Sequence, residues 1–112
     1  MGKIYYNKLV RDRIPEIIRM SGKECVTSIL PEDEYSQGLR EKLREEVQEY
    51  LESHAPEELA DILEVVHALV TLHGLDVESI EQIRREKRNR AGGFQDRIQL
   101  ISVEEHDKDD GK

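Results

Sequence analysis

The chain has 112 residues, a formal net charge of −8, 38% charged and 37% apolar residues, four tyrosines, one phenylalanine and no tryptophan. Such a composition suits one domain of exposed amphipathic helices better than a β-sandwich or a thick α/β core. The negative charge argues against a nucleic acid polymer or an anionic membrane as partner, and the single cysteine, Cys25, excludes an intrachain disulfide. No basic-then-apolar leader is present, and no apolar run approaches the ~18 residues of a membrane span, so a soluble cytoplasmic protein is expected. The modest apolar content predicts further burial by self-association, as a homodimer or homotetramer.

In chain order, residues 4–13 mix apolar and basic side chains without a period and read as an irregular arm. A short helix follows, with Pro15 in its first turn and Gly22 past its end. Residues 24–30 (ECVTSIL) are rich in β-branched residues and predict a short strand. Pro31 and the acids Glu32, Asp33 and Glu34 mark the start of a long helix, because carboxylates favour the positive end of the helix dipole. Its apolar stripe is Leu39, Leu43, Val47, Tyr50 and Leu51, and it ends near Ser53. Pro56 opens the next helix, whose apolar set (Leu59, Ile62, Leu63, Val66, Leu69, Val70, Leu72) spans so broad an arc that this helix is expected to be the most buried. His67 and His73 are expected to pack there, and no histidine has zinc spacing. Gly74 ends that helix, and Asp76 is the expected N-cap of a last helix running to about Arg90, stopped by Gly92 and Gly93. Residues 98–103 (IQLISV) predict a second short strand, paired with the first. The expected architecture is mainly α: an antiparallel helical hairpin or bundle with one or two short peripheral strands, in a single domain over residues 1–103. The acidic tail 104–112 is expected to be disordered.

Two acidic signatures stand one hairpin apart. Glu45-Glu46-x-x-Glu49 closes the long helix and Glu58-x-x-Asp61 opens the next. Residues three or four apart share a helix face, so each signature projects neighbouring carboxylates from one surface, and the turn at Pro56 brings the two together. Glu-x-x-Glu also occurs on ordinary solvated helix faces. Four facing carboxylates, however, repel unless a hard cation lies between them, which points to Mg²⁺, with Mn²⁺ as substitute. In that reading Glu46, Glu49, Glu58 and Asp61 are metal ligands, and Glu45 is a further ligand or the base that activates water. Glu45, Glu46 and Glu49 thus form the catalytic set.

Two basic segments complement these acids. Arg84, Arg85, Lys87, Arg88 and Arg90 precede Ala91-Gly92-Gly93-Phe94. Cations at a helix C-terminus satisfy its dipole, but five crowd each other, and a polyphosphate is a natural counter-charge. Lys87, Asn89 and Arg90 are therefore candidate substrate contacts, with Phe94 as a stacking or core residue. The arm supplies Lys8 and Arg11 as further candidates, although Asp12 offers a local salt bridge that would also explain its charges.

The segments NKLVRDRIPEII, KLREEVQEY, EELADILEVVHAL and EKRNRAGGF together resemble the MazG-like all-α nucleoside triphosphate pyrophosphohydrolases. They are most similar to the branch labelled phosphoribosyl-ATP pyrophosphohydrolase-like, and the resemblance covers residues 5–101. It implies an oligomeric antiparallel helical core that cleaves nucleotides between the α and β phosphates, giving a nucleoside monophosphate and pyrophosphate. Its Mg²⁺ ligands fall on Glu46, Glu49, Glu58 and Asp61, and Lys87 and Asn89 lie in its nucleotide region. Only eight residues, 50–57, separate the two acidic motifs, which is short for that family. The expected substrate is a nucleoside triphosphate or related nucleotide, in nucleotide-pool house-cleaning. Phosphoribosyl-ATP in histidine synthesis is an alternative substrate, and a non-catalytic nucleotide- or partner-binding module is the alternative from another class.

Overall fold

The computed structural model describes residues 2–105 and contains four helices: α1 (Ile14–Met20), α2 (Glu32–Ser53), α3 (Glu57–Leu72) and α4 (Val77–Ala91). The chain divides after Ile80 into two compact units. The first holds the arm, α1, the α2–α3 hairpin and the start of α4; the second holds the rest of α4 and the segment beyond it. From residue 106 onward the expected acidic tail lies outside the described residues.

The hairpin is the core of the first unit. Where α2 ends, the His54 N–H donates to the Tyr50 carbonyl at 2.7 Å and His54 takes a left-handed φ of +57°. The Ala55 N–H caps back onto the Ser53 hydroxyl at 3.1 Å, and Pro56 at φ −60° starts α3 at no cost, since its missing N–H would have lacked a partner. Three residues (54–56) thus reverse the chain. Leu39 from α2 and Val65 and Val70 from α3 are the buried hydrophobic residues. The arm crosses this layer where α2 is narrowest: a Cβ on Gly38 would stand 3.6 Å from Leu9 Cβ and 3.7 Å from Leu30 Cδ1. Asp76 caps α4 as expected, accepting the Ser79 N–H at 2.8 Å, and Gly22, Gly74 and Gly92 each follow a helix with positive φ.

Two expectations are corrected, the short strands and the packing of His67, His73 and Phe94. No strand occurs among the described residues: 24–30 and 98–103 have no regular secondary structure, and Val26, Ile29, Ile98 and Ile101 are more than 80% exposed. β-branched composition describes a residue that fits a pleated surface and does not create the neighbouring strand such a surface needs. α3 is the most buried helix, as expected, and supplies Val65 and Val70 to the core, although α2 covers one side of it and leaves Leu59 and Leu63 about half exposed. His67 and His73 stand at exposed positions and Phe94 is 94% exposed, so none of the three packs in a core.

At about 100° per residue, Val47 and Leu51 lie to one side of the Leu39–Glu46 line on α2, and Glu45 and Glu49 lie to the other. In the antiparallel hairpin, Leu59 and Leu63 fall on the same side as Val47 and Leu51. The hairpin therefore has an aliphatic face and an acidic face, and the arm lies on the acidic one, where Lys8 and Arg11 make ion pairs.

Candidate functional site

The acidic face gathers residues from both signatures. Carboxylate oxygens of Glu46, Glu58 and Asp61 all lie within 4.8 Å of one another. The periodicity of the two helices places them so: Glu46 is on the inward stripe of α2, while Glu58 and Asp61 share a face three residues apart at the start of α3. Glu46 is buried, at 8% exposure, the one buried charged side chain among the described residues. Its Oε1 and the Oε1 of Glu58 are buried and accept no hydrogen bond. Glu49 stands outside this triplet at an exposed position, close enough for its charge to act on Glu46.

The titration of these acids follows from their surroundings. Burial, followed by the charge of Glu49, pushes the Glu46 carboxyl above the usual range, and Lys42 only partly opposes the shift. Burial and the neighbouring Asp61 charge push Glu58 upward too. Glu45 moves the other way: a hydrogen bond from Lys8 and the charge of Lys42 hold it below the usual range. That same bond to Glu45 raises Lys8.

Three cations surround the acids. Lys8 Nζ donates to Glu45 at 2.9 Å, and Arg11 Nη2 donates to Asp61 at 2.7 Å. Lys42, one turn before the first signature and with a side chain 19% exposed, lies 3.5 Å from Glu45 and 3.4 Å from Glu46. Sequence reading missed Lys42, although its i, i+3 and i, i+4 spacing to Glu45 and Glu46 is visible in KLREE. It did select Lys8 and Arg11, and the fold brings both to the acids.

Lys87, Asn89 and Arg90 are exposed on the last turns of α4, in the second unit. There a Cβ on Gly93 would meet the Gln95 Oε1 at 2.6 Å and the Arg88 guanidinium at 3.3 Å, so glycine lets these side chains close over the backbone. Along the same helix Glu81 pairs with Arg84 and, at 3.5 Å, with Arg85, so part of the basic charge is spent locally.

A divalent cation fits the triplet. The donors are all carboxylate oxygens, the set preferred by Mg²⁺ and Mn²⁺. Glu46 Oε1 and Glu58 Oε1, on two of the triplet's three residues, are buried without a partner, an arrangement that costs about 1–3 kcal/mol per group unless something binds there.

A protein of Mycolicibacterium smegmatis, described only as uncharacterized, is 57% identical over 42 residues, 38% of this chain and 43% of the relative. The chain thus spans less than half the length of that relative. No protein-family profile matches the chain, and no solved structure matches it. Among the described residues, no helix is long and apolar enough to cross a membrane.

Proposed function

We propose that this protein is a cytoplasmic, Mg²⁺-dependent nucleotide pyrophosphohydrolase of the MazG-like kind. It would cleave a nucleoside triphosphate or related nucleotide between the α and β phosphates. The observation that carries the reading is the gathering of one carboxylate oxygen each from Glu46, Glu58 and Asp61 within 4.8 Å, in a cluster where Glu46 is buried with an unpaired Oε1. Glu46, Glu58 and Asp61 would hold the cation, with Glu49 joining from the next turn of α2. A cation bound there supplies charge neutralisation for phosphate oxygens and lowers the pKa of water.

The chain's own residues do the rest. Lys8 and Lys42 stabilise the charged form of Glu45, which suits it to be a further ligand; as a proton acceptor it would act once Lys8 turns to a phosphate oxygen. Lys42 holds one oxygen side of Glu46 and leaves Oε1 free for the cation. Lys8 and Arg11 lie beside the acids on the arm and can exchange a carboxylate for a phosphate oxygen at small cost, since exposed ion pairs are worth only about 0–1 kcal/mol. Lys87, Asn89 and Arg90 would add contacts to the polyphosphate or sugar. Self-association as a homodimer or homotetramer belongs to the same proposal. It is supported by the aliphatic face of Val47, Leu51, Leu59 and Leu63, which is 37–58% exposed. A second copy presenting the same face would cover it, as a twofold interface requires self-complementary patches.

Pyrophosphate release, with and without Mg²⁺, across nucleoside triphosphates, damaged analogues and phosphoribosyl-ATP tests the reading. Mg²⁺-dependent release of pyrophosphate and a monophosphate is expected. A folded protein that binds Mg²⁺ and releases nothing from the whole panel would overturn it.

A further inference from the structure

Between the arm and the hairpin lies a cavity of about 220 Å³. Its floor is made by Leu39 and Val65, two of the buried core residues, and by the small side chain of Ala68; Tyr35 adds a ring from the first turn of α2. Glu46 and Asp61 belong both to this cavity and to the acidic triplet, so the two are contiguous. Half of its lining residues are charged, so it is a polar cleft with an apolar patch, and whole drug-sized ligands occupy about 300–1,000 Å³. This one is sized for a ring and not for a ring with its sugar and phosphates.

The polar groups of the cavity are unbalanced. Its two cations are engaged: Lys42 with Glu45 and Glu46, and Arg11 with Asp61 or, on the reading above, with the phosphate for which it exchanges that carboxylate. Asp12 and Glu64, at exposed positions, add two more carboxylates, which when ionised only accept hydrogen bonds. A ligand edge carrying an amino group can donate to them, whereas a carbonyl in the same place meets an acceptor with an acceptor.

Resting on the pyrophosphohydrolase reading, we propose that this cavity receives the base of the nucleotide and favours bases that carry an exocyclic amino group. The polyphosphate extends from it over Glu46 and Asp61 toward the acidic triplet. Tyr35, Leu39 and Ala68 contact the faces and edge of the ring, and Glu64 and Asp12 accept from its amino group.

The test is calorimetric titration of the full chain in Mg²⁺ with inorganic triphosphate and with non-hydrolysable α,β-methylene analogues of CTP, UTP, ATP and ITP. CTP and ATP analogues are expected to bind about tenfold more tightly than the UTP and ITP analogues, the scale of one mispaired polar contact. Ala68→Leu fills the recess and is expected to weaken all four nucleotides at least about tenfold while leaving inorganic triphosphate unchanged. Glu64→Gln, at an exposed position, should melt as the wild type does and lose the preference for the amino-bearing member of each pair. It decides the matter if Ala68→Leu fails to fold. Equal binding of CTP and UTP analogues, or a folded Ala68→Leu that binds nucleotides normally, overturns the proposal. Wild-type protein that binds inorganic triphosphate as tightly as every nucleotide overturns the cavity proposal alone. Wild-type protein that binds neither overturns the pyrophosphohydrolase reading with it.

Discussion

Glu46→Gln separates a metal ligand from an ordinary helix glutamate more sharply than any other change. The substitution keeps the shape of the side chain and removes the charge from a residue that is 8% exposed. In the metal-free protein the Oε1 atom has no hydrogen-bond partner, and an unsatisfied buried polar group costs about 1–3 kcal/mol. Glutamine offers an amide N–H₂ to the oxygens of Glu58 and Asp61, which share the cluster. Lys42 keeps Glu45 as a partner at 3.5 Å. The metal-free variant should therefore be more stable than wild type by about 1 kcal/mol, a rise in Tm of roughly 4–8 °C. Mg²⁺ should reverse the order. At a concentration of 100 times its Kd, a ligand that binds only the native state stabilises it by about 2.7 kcal/mol, and the variant has lost the ligand atom that carries the effect. Thermal melting followed by circular dichroism, with and without Mg²⁺, reads both numbers. A metal-free Glu46→Gln protein that is less stable than wild type, yet still gains the full Mg²⁺ shift, would refute the reasoning.

Other outcomes follow from the same geometry. Glu46 has a folded-state pKa above its unfolded value, so the metal-free native state binds more protons in the window between them. The stability difference between Glu46→Gln and wild type should then shrink as pH falls through the raised range and be fully open above it, as melting curves across pH would show. Arg11→Met removes the cation on Asp61 and should tighten Mg²⁺ binding in the absence of nucleotide while weakening nucleotide binding; calorimetry showing both effects with the same sign would contradict the exchange role of the arm. Gly38→Ala places a methyl group at ordinary contact distances, 3.6–3.7 Å, in mid-helix and should stabilise the fold by roughly 0.5–1 kcal/mol in urea melts. Leu63→Glu puts a charge on the aliphatic face and should lower the assembly mass seen by sedimentation while preserving helical content; an unchanged mass would remove that face as the contact between copies.

Much of this protein is legible in one dimension because helices are governed by local rules. Helical periodicity, Pro15, Pro56, the Asp76 cap and Gly22, Gly74 and Gly92 lie within a turn of the ends they set, and the helices begin and end within a residue or two of where those signals put them. The pairing of the two acidic signatures was likewise readable, since a three-residue turn leaves α3 little choice but to return along α2. What the sequence could not determine depends on which distant residue comes near. Segments 24–30 and 98–103 have strand composition and no partner strand, because a ladder is a property of two segments and composition belongs to one. Only the tertiary structure put Lys8 on Glu45 and Arg11 on Asp61, across separations of 37 and 50 residues. It also buried Glu46 while leaving Glu49 exposed, since burial is set by the phase of each residue against the neighbouring helix and not by the motif that contains both.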